Sequence, residues 1–156
     1  MTVQTEYRNA VYRALERCQF IEEILRLYLY LVIQVAKIEL KSHFPVNLTK
    51  EDLSKLSLGR LVYKFSQFNG NVSLKSDLEK ITPDRNKVVH QSLLLTLGEN
   101  EDNKHLAKLT NSMNEFEKRA KKAHETLLDE KWKLQKSLRA LRLKAKEMDE
   151  GRGLSP

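Results

Sequence analysis

Three polar residues in one short stretch have the types and the spacing that phosphodiester chemistry needs. Arg85 and Asn86 are adjacent, and His90 follows four residues after Asn86. On a helix, Asn86 and His90 share a face, whereas Arg85 and His90 are about 140° apart and can border one groove. A guanidinium fork binds a phosphate, and an imidazole with a pKa near ~6.5 transfers protons at neutral pH. We therefore predict a site with Arg85, Asn86 and His90 as its candidate catalytic residues.

The residues just before this set predict that a helix begins there. Thr82 can cap the helix, Pro83 suits its first position, and Asp84 favours the positive end of its dipole. Arg85 would then lie in the first turn, where free backbone N–H groups also favour an anion. The alternative is a structural one, in which Arg85 decorates an exposed turn and His90 is a histidine at a helix interface.

The other residue types that carry chemistry do not form a recognisable site. The single cysteine, Cys18, excludes a disulfide within the chain, and it falls in an apolar stripe where a buried role is expected. No His-Glu-x-x-His sequence and no glycine-rich phosphate loop occurs. His43, His105 and His124 are predicted to be structural surface residues. We therefore expect neither a metal ion nor a cofactor.

The net charge of +7 comes from one region of the chain. Residues 118–146 hold eleven bases and three acids, a balance of +8, and the remainder is close to neutral. A localised positive stripe favours a polyanionic partner such as nucleic acid, and a solvated helix face would have the same composition. Aromatic residues are sparse in and near this stretch (Phe116 and Trp132), which is unfavourable for base stacking.

Hydrophobic spacing predicts helices in the first half of the chain. There is no Gly or Pro between Thr5 and Lys41, and the apolar residues there alternate at steps of three and four. A second helix is predicted to begin after Thr49, where Asp52 would complete a capping box. The turn residues Asn69-Gly70-Asn71 would end it.

The second half of the chain is also predicted to be helical. A short helix would cover residues 73–80, and the third main helix would run from Thr82 to Gly98. The fourth would begin near Asn100 or Glu101 and meets no breaker before Gly151. Its far half keeps a three–four apolar spacing and could pair with a second chain, wrap over the bundle or fray. The residues of that stripe are Leu127, Leu134, Leu138, Leu141, Ala145 and Met148.

The stretch Arg85-Asn86-x-x-x-His90 resembles the Arg-x(4–6)-His motif of HEPN domains (higher eukaryotes and prokaryotes nucleotide-binding). In that family a polar residue, often Asn, follows the Arg. The surroundings are similar as well: a long first helix, a Leu-Gly-Arg-Leu turn over residues 58–61, and a long charged last helix. The resemblance covers about residues 5–130.

This resemblance implies a metal-independent endoribonuclease that works as a homodimer, with the two motifs facing each other in one composite site. His90 would be the general base or acid that helps the ribose 2′-OH attack the phosphorus. Arg85 would hold the phosphate and stabilise negative charge, and Asn86 would orient His90 or the phosphate. The products would be a 2′,3′-cyclic phosphate and a 5′-hydroxyl.

The resemblance also suggests a toxin–antitoxin or phage-defence setting, with RNA, a second copy and a cognate antitoxin or other protein as candidate partners. In one toxin branch a Tyr two residues after the His is modified by the antitoxin. Here Ser92 takes that position, so control by tyrosine modification does not carry over. The alternative function is a catalytically inactive HEPN interaction module that binds a partner protein or nucleic acid.

These elements predict an all-α fold, an up-down-up-down four-helix bundle with a short extra helix and a long, basic C-terminal helix. Residues 1–150 would form one domain, with 127–150 as an extended charged helix and 151–156 as a disordered tail. No signal peptide is expected, and the most apolar stretch, 27–36, is far shorter than the ~20 residues that cross a bilayer. We expect a cytoplasmic protein with no membrane contact.

Overall fold

The computed structural model describes residues 2–40, 46–97 and 102–152, with side chains in these ranges except at 91, 93–97, 149 and 151–152. All regular structure in these ranges is helical: α1 (Val3–Leu40), α2 (Lys50–Ser54), α3 (Leu58–Phe68), α4 (Val72–Leu97) and α5 (Asn103–Arg152). The predicted all-α class is therefore confirmed. None of the described helices has the length and hydropathy that a membrane span requires.

Helices α1 and α5 lie side by side and share the most extensive contact of any two described helices. Arg13 pairs with Glu117 at 3.0 Å, and the Phe20 ring stacks on His124 at 5.6 Å between centroids. Both pairs are 104 residues apart, so the helices run parallel in a constant register. Small buried residues on both helices let their axes approach closely: Ala10, Ala14, Cys18, Ala120 and Ala123.

Helix α4 runs in the opposite direction to α5. Its Asp84 accepts a hydrogen bond from Arg119 at 2.9 Å, and one turn later Val88 lines a cavity with Met113. Residue numbers therefore rise along α4 as they fall along α5. Helix α3 joins α4 through the short turn at 69–71 and packs beside it in the antiparallel sense, with Gly59 facing Thr82.

These contacts give α1, α3 and α5 one direction and α4 the other, which differs from the alternating arrangement predicted. The difference arises because the predicted second helix is interrupted at residues 55–57 and forms α2 and α3 separately. Lys50 of α2 lies over the Tyr30 ring, and its Ser54 lines a cavity with Glu23. The short α2 therefore brings the chain back along α1. It replaces the long second helix that was predicted to run opposite to α1.

Helix α4 contains Pro83 in its interior, so the predicted helix start at Thr82 is wrong. The Thr82 hydroxyl donates to the Leu78 carbonyl at 3.0 Å and does not cap. Proline removes one helical N–H bond, but the apolar stripe continues through the buried Ile81 and Val88, and α4 runs without interruption from Val72 to Leu97. Arg85 is thus near the middle of α4, and the predicted anion site in a first turn is wrong as well.

Two local signals in the sequence are confirmed. Thr49 and Asp52 form a capping box at the start of α2, with each side chain accepting from the other's backbone N–H. Asn69 ends α3, and its buried amide donates to the Tyr28 hydroxyl at 3.1 Å and to Glu130 at 3.0 Å. This side chain fixes α3 against the α1–α5 pair, which is why the turn occurs there.

Several predicted boundaries fall at the edges of the described residues. Helix α5 begins at Asn103, close to the predicted start, and ends at Arg152. Its last two residues therefore belong to the segment predicted as a tail, and residues 153–156 lie outside the described residues. The predicted stop at Gly98 and the loop residue His43 also lie outside them.

Candidate functional site

The second half of α4 carries all three predicted site residues, on two of its faces. Val88 is buried in the core and marks the inward face. Asn86 and His90 are exposed on the opposite face, as their four-residue spacing predicts. Arg85 is half-buried on the flank that faces α1. The set therefore extends from the α1–α4 groove to the outside of the bundle.

Arg85 is held in the groove by an acidic residue of α1. Its guanidinium lies 3.5 Å from a Glu22 carboxylate oxygen and donates to the Asn86 side-chain oxygen at 3.4 Å. The Arg85 side chain is 37% exposed and that of Glu22 is 16% exposed. Glu22 also accepts from Arg26 at 3.2 Å, so one carboxylate is shared by two guanidinium groups. Part of the Arg85 donor fork therefore faces solvent and can reach a phosphate.

His90 is placed differently, because no neighbouring helix covers it. Among the described residues, its imidazole has no hydrogen-bond or ion-pair partner, and its side chain is exposed. Helices α3 and α4 line a common cavity at Gly59 and Pro83, before the turn of α4 that carries Asn86. Among the described side chains, those of Asn86 and His90 are exposed, so the outward face of α4 is open at these two residues.

The structure brings Arg85 and Asn86 into contact and does not bring Arg85 to His90. The two lie about 140° apart on the helix, and the Arg85 side chain is directed toward α1. One copy of the chain therefore presents a guanidinium that could bind an anion and an imidazole that could transfer a proton on different faces of α4, and the described residues form no closed pocket between them. A complete phosphodiester site would need a second surface against this face.

The acidic residue closest in sequence to the site, Asp84, is neutralised by neighbours. Arg119 of α5 contacts it at 2.9 Å and Lys87 at 3.4 Å. These contacts turn the carboxylate toward α5 and away from Asn86 and His90. An incoming phosphate would thus meet little repulsion from this group.

Cys18 lies one helical turn before Glu22 on α1, and its thiol is not a nucleophile at neutral pH. Its side chain is buried, as predicted. Burial raises the pKa of the Cys18 thiol to about 12; the positive charge of Arg85 opposes this rise, and the negative charge of Glu22 adds to it. The thiol therefore stays protonated and packs as a small apolar side chain.

His124, a titratable residue of α5, has a structural role. His124 stacks on Phe20, and burial together with the charge of Arg17 lowers its pKa. No group of three or more His, Cys, Asp or Glu in the described ranges is arranged to hold a metal ion.

Glu22 is a site residue that the sequence does not identify, because a charged position beside the core stripe of a helix is usually solvated. The available signal was its four-residue spacing from the buried Cys18, which places it on the same face of the helix, at the edge of the core. Its pairing with Arg85 depends on the register of α1 against α4, which the sequence does not reveal.

Comparisons of the chain with protein families, with curated proteins and with solved structures gave no match.

Proposed function

We propose that the chain is a metal-independent endoribonuclease of the HEPN type, with its site formed by two copies of the outward face of α4. The observation that carries the proposal is His90, an exposed imidazole one helical turn from Asn86, which in turn contacts the phosphate-binding group Arg85. A base, an amide and a guanidinium in this order match the needs of 2′-OH attack on a phosphodiester.

The proposed reaction uses only groups of the protein and the RNA. One His90 accepts the proton of the ribose 2′-OH, and the oxygen forms a bond to the adjacent phosphorus. The bond from phosphorus to the 5′-oxygen breaks, and the partner's His90 donates a proton to that leaving oxygen. Arg85 stabilises the negative charge that develops on the non-bridging oxygens, and Asn86 keeps its guanidinium in place. The products are a 2′,3′-cyclic phosphate and a 5′-hydroxyl.

Two copies are required because one copy leaves the site open. Among the described residues, the His90 side chain is exposed and Arg85 is directed to Glu22, so these residues do not enclose a substrate at His90. A two-fold axis through this face would bring two His90 side chains together and would exclude water from the scissile bond. In this proposal the helices α1, α3, α4 and α5 form the HEPN-like bundle that holds the face rigid.

The resemblance extends the proposal to a cytoplasmic toxin or phage-defence role. Ser92, which replaces the tyrosine that some relatives carry, donates to the Val89 carbonyl at 2.7 Å. Its hydroxyl is thus engaged with its own helix, and we propose control by a bound partner protein in preference to modification at this position.

The test is RNA cleavage by the purified protein in EDTA, with mapping of the product ends. His90→Ala is expected to lower the rate by about 10²–10⁴-fold, as removal of a general base or acid does. Arg85→Ala is expected to lose most of the activity as well. Lys80→Ala removes an exposed base from the first half of the same helix and serves as the control, with a rate close to that of the wild type. Equal cleavage by all four proteins, or ends other than a cyclic phosphate, would refute the proposal.

The second candidate is an inactive HEPN-like binding module, and the Glu22–Arg85 pair favours it. A guanidinium already neutralised within the fold has a structural use that requires no substrate. If the wild type shows no cleavage in EDTA while Arg85→Ala lowers the thermal stability, this candidate replaces the first.

A further inference from the structure

The distal arm of α5, residues 131–152, carries positive charge that the fold does not neutralise. Positions 131–146 hold seven bases and no acid. Six of the seven side chains are exposed and one is half-buried. These residues are Lys131, Lys133, Lys136, Arg139, Arg142, Lys144 and Lys146.

Among the side chains that the structure describes, ion pairs occur only at the two ends of this run. Lys133 contacts Glu130 at 2.9 Å, and Lys146 contacts Glu150 at 3.7 Å. Among the described side chains, no carboxylate pairs with the four bases between them, which we call the basic face: Lys136, Arg139, Arg142 and Lys144. Four neighbouring cations without counter-charges repel one another, so their placement favours an anionic partner.

The apolar side of the arm is already used by the fold. Leu138 is buried and Leu134 packs against the core, on the side where α1 runs parallel. The exposed large apolar side chains of the arm, Trp132, Leu143 and Met148, are eleven and five residues apart, and the Lys131 ammonium lies 3.9 Å from the centroid of the Trp132 ring. The arm therefore lacks the continuous free apolar face by which an amphipathic helix inserts into a bilayer. A polyanion with its charges in a row fits it better.

We propose that the distal arm binds the sugar–phosphate backbone of single-stranded RNA, whatever its sequence. The run from 131 to 146 is ~22 Å long at the rise of an α-helix. The arm is separate from the outward face of α4. Val88 of α4 and Phe116 of α5 line one cavity, and Arg139 lies 23 residues, or ~35 Å, further along α5. The choice of RNA over other polyanions rests on the proposed function, whereas the binding surface does not.

The experiment measures binding of a fluorescein-labelled 2′-O-methyl oligouridine, which lacks the attacking hydroxyl and cannot be cleaved. The wild type is compared with the triple variant Lys136→Gln, Arg139→Gln and Arg142→Gln over a series of salt concentrations. The matched control removes three exposed bases from the other half of the same helix, through Lys108→Gln, Lys118→Gln and Lys121→Gln. Circular dichroism checks that all three proteins are equally helical.

The arm variant is expected to bind at least ~10-fold more weakly at low salt, with the slope of log affinity against log salt reduced by ~2, since three phosphate contacts are lost. The control variant is expected to stay within ~2-fold of the wild type. Equal losses in both variants would show that only net charge matters and would overturn the proposal. Tighter binding of the wild type to anionic phospholipid vesicles than to RNA would overturn it as well.

The outcome is independent of whether the protein cleaves RNA. If the wild type does not cleave RNA and the arm variant still loses affinity, the proposed function fails and the binding surface stands. If the wild type cleaves RNA and the arm variant binds the probe as tightly as the wild type, the binding surface fails and the proposed function stands.

Discussion

The two halves of α5 have similar numbers of bases and differ in the acids that accompany them. Residues 103–130 hold six Lys or Arg against five Asp or Glu, and this half forms ion pairs with other helices, through Glu117 to Arg13 and Arg119 to Asp84. The distal arm has seven bases over 131–146 and no contact of this kind among the described side chains. The near half therefore holds the bundle together, and the arm is available for a partner.

The same contrast separates the two candidate functional regions. At the α4 face, charge is arranged in specific short contacts, with Arg85 fixed between Glu22 and Asn86. Such positioning suits chemistry, which needs groups held in one geometry. The basic face of the arm presents four charges that have no ion-pair partner among the described side chains, which suits binding of a flexible polyanion.

The largest expected effect is on stability, from the matched pair Leu127→Ala and Leu138→Ala. Both leucines are buried, but Leu127 belongs to the continuous core cluster and Leu138 lies outside it. We expect the free energy of unfolding to fall by ~4 kcal/mol for Leu127→Ala and by ~2 kcal/mol for Leu138→Ala. Urea unfolding measures both. An equal or larger loss for Leu138→Ala would mean that the arm is part of the core.

A smaller effect is expected from Glu22→Gln, which keeps the shape of the side chain and removes the charge that holds Arg85. Cleavage should slow by ~10-fold, because a freed guanidinium is less well positioned, while affinity for the uncleavable probe stays the same. Glu23→Gln, which alters a more exposed carboxylate that pairs only with Arg26, is the control. Faster cleavage by Glu22→Gln would show that Glu22 competes with the phosphate and does not position Arg85.

How much the sequence could predict depended on whether a signal was local. The helical class, the capping box at Thr49 and the turn at Asn69 were predictable because they depend on residues a few positions apart. The helix start at Thr82 was predicted wrongly. Thr82-Pro83-Asp84 has the residue types of a helix N-terminus, but here the three residues lie within a helix. Because Ile81 and Val88 are both buried in the core, the helix continues through Pro83.

The parts of the site that the sequence missed all depend on register between helices. The outward position of Asn86 and His90 follows from their spacing and was predictable. The contact of Arg85 with Glu22 requires α1 and α4 to be aligned within one turn, and periodicity along one helix carries no such information. For the same reason the parallel pairing of α1 and α5 could not be read from their apolar stripes.

The smallest expected effect concerns pH and the near half of α5. Burial and the charge of Arg17 lower the pKa of His124, so the unfolded chain takes up a proton there before the folded chain does. This group's contribution to stability is therefore present above its ordinary pKa of about 6.5 and is lost as pH falls toward the folded value. Thermal unfolding at pH 7.5 and 5.5 should show a smaller decrease in Tm for His124→Phe than for the wild type. An equal decrease would contradict the assignment.

A catalytic site shared by two α4 faces is tested most directly by the cleavage rate of wild type mixed with an equal amount of His90→Ala, after the subunits have exchanged. A composite site that needs both His90 side chains would leave only dimers with two wild-type chains active, so the rate should fall to about a quarter of that of undiluted wild-type dimer at the same total concentration. A rate of about one half would mean that each chain acts alone, and it would contradict a site shared between two α4 faces.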